Sequence, residues 1–462
     1  MQSTQITHLK PQDGVPYEIL RDIFLLTLPE RDCDRIHPSY PPTIISQVCS
    51  HWREITFSEP KFWDTVIFNS IPRNHGHSNQ RRADQHNRFI TSGTVQRWFH
   101  RAGGSHTLVL GEEASDMPSS CLISLLFPII VEFSGRIKAL KIVMTSSSHL
   151  DYMRELTQVA QFGELARVEI HAEMRESMTS LDLEAVGAIH AFNDKTFKLN
   201  EAHFKVDMAP PVHFVMPWRQ LRRVKLTGCP WRPVLPTDWI ALLRLCPDLE
   251  TAELINPYDP ERWPEAMSLS DVPKLDQDDE LSLVSLTIHD ADSILHDQHR
   301  TGSPECMFIH LLEFAHLKHL EIRVQNAPWT AHSEQPERWL VQALSGLKSL
   351  ESLTLYTSGR NDSFYPYRIH AIVQYWRATP PEGFGALRSF TLQYSHNHAP
   401  ELVRLLQGPL STTRCPYLSM TIAGEDEEMG MWGALLAHPL FSSVVDRLKV
   451  TPRSEFNFQQ VE

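Results

Sequence analysis

Close cysteine pairs are missing from this 462-residue chain. Its seven cysteines, Cys33, Cys49, Cys121, Cys229, Cys246, Cys306 and Cys415, are scattered and odd in number, which predicts reduced thiols and no disulfide framework. Basic runs are missing too. Lys plus Arg amount to 43 against 56 Asp plus Glu, a net charge of −13, and such a chain is a poor candidate for sequence-independent nucleic-acid binding. Long apolar runs are also absent. The longest stretch, Cys121 to Phe133, is too short to span a bilayer and contains Pro128. Met1 to Pro11 is polar, with no apolar core of a signal peptide. The expectation is a soluble protein of the cytoplasm or nucleus, with neither a membrane nor nucleic acid as partner.

Signatures of chemistry are equally scarce. There is no phosphate-binding G-x-x-x-x-G-K-[ST], no G-x-G-x-x-G, no H-E-x-x-H and no G-x-S-x-G. No C-x-x-C pair offers zinc ligands or redox thiols. The 24 histidines are numerous; His310, His316 and His319 lie close together, as do His75/His77 and His396/His398, but His310 and His316 do not share a helical face and His319 falls in a predicted strand, so they are read as surface residues. The chain is therefore expected not to be an enzyme and to use no cofactor and no metal. Its apolar content, 42%, is high enough for a sizeable core.

The most informative block is 13–68. Val15, Ile19, Leu20, Ile23 and Phe24 recur at helical spacing, with Pro16 at the start and Pro29 just past the end. After a polar insert from about Arg31 to Pro42, Ile44, Ile45, Val48, Trp52 and Ile55 recur at the same spacing, and Phe62, Trp63, Val66 and Phe68 predict a short strand. A unit of two or three such helices cannot hold a large core by itself, so its apolar surface must dock on the rest of the chain or on a partner.

The order Val15-Pro16-x-Glu18-Ile19-Leu20-x-x-Ile23-Phe24, then Val48-Cys49-x-x-Trp52-Arg53-x-Ile55, then Pro60-x-x-Trp63 resembles an F-box, in the form common in large fungal families. The match covers about one eighth of the chain. The resemblance implies binding to the Skp adaptor of a cullin-based SCF ubiquitin ligase, and through it to a cullin. It implies an adaptor-facing set of Val15, Pro16, Ile19, Leu20, Phe24, Ile45, Val48, Cys49 and Trp52. Two features depart from the family: Val15 stands where Leu is usual, and the insert lengthens the gap between the helices.

Residues 69–92 are polar and locally basic and read as a flexible linker. Thr94 to Leu110 reads as helix, Gly-Gly turn and strand. Thereafter the template L-x-x-L-x-L repeats eleven times. Its anchors are Ile137, Leu165, Leu199, Leu221, Leu249, Leu283, Leu317, Leu350, Leu387, Tyr417 and Val445, at intervals of 22 to 37 residues. Helical patterns lie between them at 238–246, 307–315, 337–347, 400–408 and 431–439. One strand and one helix per repeat give the fold class: α/β, with a short helical F-box followed by an irregular leucine-rich-repeat solenoid over 93–462. Regular repeats place Asn or Cys eight residues after the first anchor, and only Cys229 does so here. Pro-rich connections at 208–218 and 256–273 and the acidic loop Glu425 to Glu428 complete the array.

Between the second and third apolar positions of each repeat, one residue points to the opposite face of the strand. That row runs Lys141, Glu169, His203, Lys225, Glu253, Thr287, Glu321, Thr354, Thr391, Thr421 and Lys449, charged early and hydroxyl-rich late. The candidate target-binding residues are His203, Lys225, Glu253, Glu321, Thr354 and Thr391 from this row, with Arg323 and Tyr356 from the next. The expected function is substrate recognition for an SCF-type ligase, with an unidentified target protein held on the solenoid. The alternative is a leucine-rich-repeat interaction scaffold whose first block is only a cap. Exposure of Phe24, Val48 and Trp52 discriminates the two.

Overall fold

In the computed structural model the described residues are 15–28, 41–69, 84, 87–105, 107–113, 122–144, 148–172, 189–190, 192, 198–206, 214–228, 234, 236–255, 281–289, 316–325, 347–358, 386–393, 419–424 and 448–452. The fold is mixed α/β, with a large parallel sheet and few helices among the described residues. The chain divides into two compact units, Met1–Ala202 with His213–Pro217, and His203–Val212 with Trp218–Glu462. The division falls within the array of strands.

The first unit opens with α1 (Tyr17–Leu26), α2 (Pro41–Val48) and α3 (Ser50–Ser58). Pro16 caps α1 with extended backbone, and Glu18 in the first turn complements the helix dipole. The single periodic segment expected through Ile44 to Ile55 is two helices. Cys49 breaks it with φ −156° and ψ 172°, and its sulfur accepts the Trp52 backbone N–H at 3.4 Å, replacing the missing helical partner. The Arg53 side chain then ties the break together by donating to the Ser46 carbonyl at 2.8 Å. The last part of the expected insert, Pro41 and Pro42, lies in the first turn of α2, where proline is tolerated.

Phe62, expected in a strand, ends a short 3-10 turn at Pro60–Phe62, and strand β1 begins at Thr65 and ends at Asn69. Of the expected linker 69–92, residues 87–91 are helical and Ile90 is buried; most of the rest lies outside the described residues. The helix, turn and strand after it are present as α4 (Thr94–Arg101), Gly103 at φ +71°, and β2 (Leu108–Glu113). Gly103 takes the left-handed conformation that ends helices and that residues with a Cβ resist.

Helix α5 (Ile123–Phe133) holds the longest apolar stretch and buries Ile123, Leu126, Ile129, Ile130 and Phe133. It is followed by β3 (Ile137–Met144), α6 (Ser148–Val159) and β4 (Arg167–Ala172). Strands β1, β2, β3 and β4 pair in that order, all parallel. Gly111 on β2 faces Lys141 on β3 so closely that an added Cβ would meet the Lys141 Cα at 3.1 Å. β5 (Ile189–His190) pairs with β7 (Phe214–Val215), a short strand inside the connection expected at 208–218. β6 (Glu201–Val206) carries the third repeat.

The second unit carries β8 (Arg223–Thr227), β9 (Thr251–Ile255), β10 (Ser285–His289), β11 (His319–Gln325), β12 (Ser352–Ser358), β13 (Ser389–Gln393), β14 (Ser419–Gly424) and β15 (Leu448–Pro452). Each pairs in parallel with the next in chain order. Their second repeat positions are in register across the sheet, as Val224, Ala252, Leu286, Leu320, Leu353, Phe390, Met420 and Leu448. The first six of these are at most 2% exposed. Burying one such side chain fully is worth about 1.5–3 kcal/mol against leaving it in water, and a slip by one residue would turn the whole row outward. Helix α7 (Pro236–Leu245) fills the space between β8 and β9 in sequence and buries Trp239, Ile240, Leu242 and Leu243. The helices expected at 307–315, 400–408 and 431–439, that at 337–347 up to its last residue, and the segments 256–273 and 425–428 lie outside the described residues.

Candidate interaction surfaces

Two surfaces emerge, one in each unit. The first is on α1, α2 and α3. Helices α1 and α2 both pack on α3. The small core between them takes Leu20, Phe24, Ile45 and Ile55, and the Phe24 ring lies 4.8 Å from the half-buried Trp52 ring. Leu20, Phe24 and Ile45 of the expected adaptor-facing set are thus turned inward. Val15 and Cys49 are half-buried, while Pro16, Ile19 and Val48 are exposed. The expected adaptor-facing set left out Ile23, Leu26 and Ile44, which are exposed beside them. Among the described residues the exposed large apolar side chains concentrate here: Ile19 at 51%, Ile23 at 48%, Leu26 at 85%, Ile44 at 47% and Val48 at 52%. The signal for them was the breadth of the apolar stripe on α1, five residues where a small core accommodates two.

The far end of the block packs within its own unit. The Trp63 indole N–H donates to the Thr56 carbonyl at 2.8 Å, and its ring meets Trp98 edge-on at 4.7 Å. The Arg101 guanidinium lies over the Phe57 and Trp63 rings at 4.7 and 4.8 Å. Burial pushes the pKa of Arg101 below its ordinary value, with the neighbouring Arg97 charge acting in the same direction. The helices are therefore anchored through α3 and the turn after it, leaving α1 and α2 to carry the exposed apolar residues.

The second surface is one face of the strands in the second unit. Alternation puts Arg223, Lys225 and Thr227 opposite the buried Val224 and Leu226. Lys225, Glu253, Thr287, Glu321, Thr354, Thr391, Thr421 and Lys449 are neighbours in register. The structure thus brings Lys225, Glu253, Glu321, Thr354 and Thr391 into one row. His203 joins the same unit by a 3.1 Å hydrogen bond to Thr227. Arg323 and Tyr356 are paired backbone neighbours, and their side chains lie outside the described ones.

Sequence reasoning missed His289. It lies two residues beyond Thr287, on the same face, and its Nε2 is 3.1 Å from Glu253. Lys225 Nζ is 3.2 Å from the same carboxylate oxygen. Burial alone would raise the Glu253 pKa. The His289 hydrogen bond and the Lys225 charge outweigh it and hold the carboxyl down to about 2. In the first unit, Lys141, Glu169 and His171 form a similar cluster, at 3.4 Å and 2.7 Å from the glutamate. Both clusters can hold charge in fixed positions on a strand face. Among the described residues, Cys246 is a fully buried thiol, and burial pushes its pKa up to about 12.

No known protein-family model matches the chain, and no curated protein matches it at a significant level. Among the described residues, no helix is long and apolar enough to cross a membrane.

Proposed function

We propose that this chain is a substrate-recognition subunit of an SCF-type ubiquitin ligase. Residues 13–68 grip a Skp-family adaptor, and the strand face of the repeats holds a protein target. The chain performs no bond chemistry; it tethers the target near the conjugating enzyme and so raises its effective concentration there. The observation that carries the reading is the exposed apolar group Ile19, Ile23, Leu26, Ile44 and Val48, on helices whose own core is already filled by Leu20, Phe24 and Ile45. Together with the ordered F-box-like residues, that surface asks for a protein partner.

The packing of Trp63 on Trp98 favours a second reading, an interaction scaffold in which the helices merely cap the sheet. One experiment separates them. The chain is co-expressed with the Skp adaptor of the same source and purified through the chain, beside Ile19→Glu/Val48→Glu. Both positions are exposed, so the variant keeps its fold, checked by circular dichroism. Co-purification lost in the variant supports the ligase reading. A wild type that does not retain the adaptor refutes it and leaves the scaffold.

A further inference from the structure

A buried N–H normally finds an acceptor, because leaving it unmet costs more than a made bond returns. The helices of the first unit and the turn after them offer both cases. The Trp63 indole N–H donates to the Thr56 carbonyl at 2.8 Å. The Trp52 indole N–H is shielded from solvent and has no hydrogen-bond partner among the described residues. Trp52 as a whole is half-buried, so its ring reaches the surface of the block while the N–H is turned inside. Its neighbours are apolar: the Phe24 ring lies 4.8 Å away, and Val48, just before the break at Cys49, is exposed. Helix α1 crosses α3 in the opposite direction. Near the start of α1 the Tyr17 hydroxyl is hydrogen-bonded to Ser58 Oγ, at the end of α3. Near the end of α1, Phe24 rests on Trp52, in the first turn of α3. One end of α1 is thus tethered by a directional bond and the other by ring packing, which has no fixed direction.

We infer that the adaptor seated on α1 and α2 supplies an oxygen acceptor to the Trp52 indole N–H, reached by a swing of the packed end of α1. The inference rests on the reading of these helices as the adaptor-binding block and names the polar contact that block demands. The exposed Ile23 and Leu26 lie on the half of α1 that packs on Trp52, so a partner that grips them pulls on that half. An indole N–H donates and never accepts, so the partner must bring a carbonyl or carboxylate oxygen in an otherwise apolar segment. The contact also gives selectivity. Apolar side chains discriminate weakly among apolar partners, whereas a donor left unmet penalises a partner that lacks the acceptor. The free chain carries the cost of the unmet donor, and docking removes it.

The test removes the donor and keeps the shape. The full chain is made by codon reassignment as Trp52→benzothienylalanine and, separately, as Trp63→benzothienylalanine, an analogue that carries sulfur in place of the indole N–H. Without adaptor, the Trp63 form loses a made bond and is expected to melt lower by about 2 °C or more. The Trp52 form loses none and is expected to melt no lower than wild type. Calorimetric titration with the Skp adaptor of the same source is expected to give a Kd weaker by about fivefold for the Trp52 form and unchanged for the Trp63 form. A Trp52 form that melts lower overturns the inference, since the free chain then already meets the donor. So does a Trp52 form that binds the adaptor as tightly as wild type, a result that leaves the ligase reading standing. A wild type that binds no adaptor overturns both.

Discussion

Removing the charge of Glu253 has a cost whose pH dependence is set by its neighbours. In Glu253→Gln the shape is kept, and the contacts to Lys225 at 3.2 Å and His289 at 3.1 Å lose their ionic part. The carboxyl titrates at about 2 in the folded chain against an ordinary 4.5. At about 1.4 kcal/mol per unit, the full shift corresponds to about 3.4 kcal/mol. The side chain is 29% exposed, and solvent screening reduces this to about 2 kcal/mol. A lowered folded-state pKa stabilises above the unfolded value. The contribution is therefore complete at pH 5 and above, and is lost as the pH falls from about 4.5 toward 2. Urea denaturation followed by circular dichroism at pH 7, 5, 4 and 3 measures both proteins. The variant is expected to be less stable by about 2 kcal/mol at pH 5, with the gap closing through pH 4 and 3. A gap that is absent at pH 5, or that stays constant down to pH 3, refutes the assignment of Glu253 as the centre of this charge cluster.

Two further outcomes follow from the first unit and from the residue just after α7. Trp63→Ala removes a side chain that is 2% exposed, its hydrogen bond to Thr56 and the ring contacts to Trp98, Phe57 and Arg101. It is expected to cost about 3–5 kcal/mol in urea denaturation, and a cost below about 1 kcal/mol would show that this junction carries little of the stability. Cys246, fully buried with its thiol pushed up to about 12, is expected to escape iodoacetamide at pH 8 in the native protein and to react in urea. Mass spectrometry reads both states, and rapid native labelling would contradict the burial.

The strands were the most legible part of the chain, and the reason is geometric. L-x-x-L-x-L fixes which residues share a face, and the parallel pairing Val224–Ala252–Leu286–Leu320 then follows because only that register buries every anchor. Helical periodicity constrains less. It marked Ile19, Leu20, Ile23 and Phe24 as apolar neighbours on α1, but the choice of Leu20 and Phe24 as the buried pair depends on where Trp52 and Ile55 of α3 lie, and that is a tertiary fact. The break at Cys49 escaped for a related reason: a cysteine sulfur substitutes for the usual capping oxygen, so the residue carries no turn signal. Within the strand face, Lys225 and Glu253 were readable from the middle row. His289 was not, because it sits one strand over and two residues on, and only the folded register puts it against Glu253.

The order of the strands in the second unit also explains how such uneven spacing is tolerated. Each strand pairs with the one that follows it in the chain, so no connection has to reach past a neighbouring strand. The entropy of closing a loop grows only with the logarithm of its length. Stretching an interval from 28 to 37 residues therefore costs about 0.25 kcal/mol, less than the burial of one methylene group. Insertions between strands are thus nearly neutral for folding, whereas a one-residue change inside a strand inverts its faces. Selection on such a chain can vary the connections widely while the strand hexads stay in phase, and new binding loops can arise without disturbing the sheet that presents them.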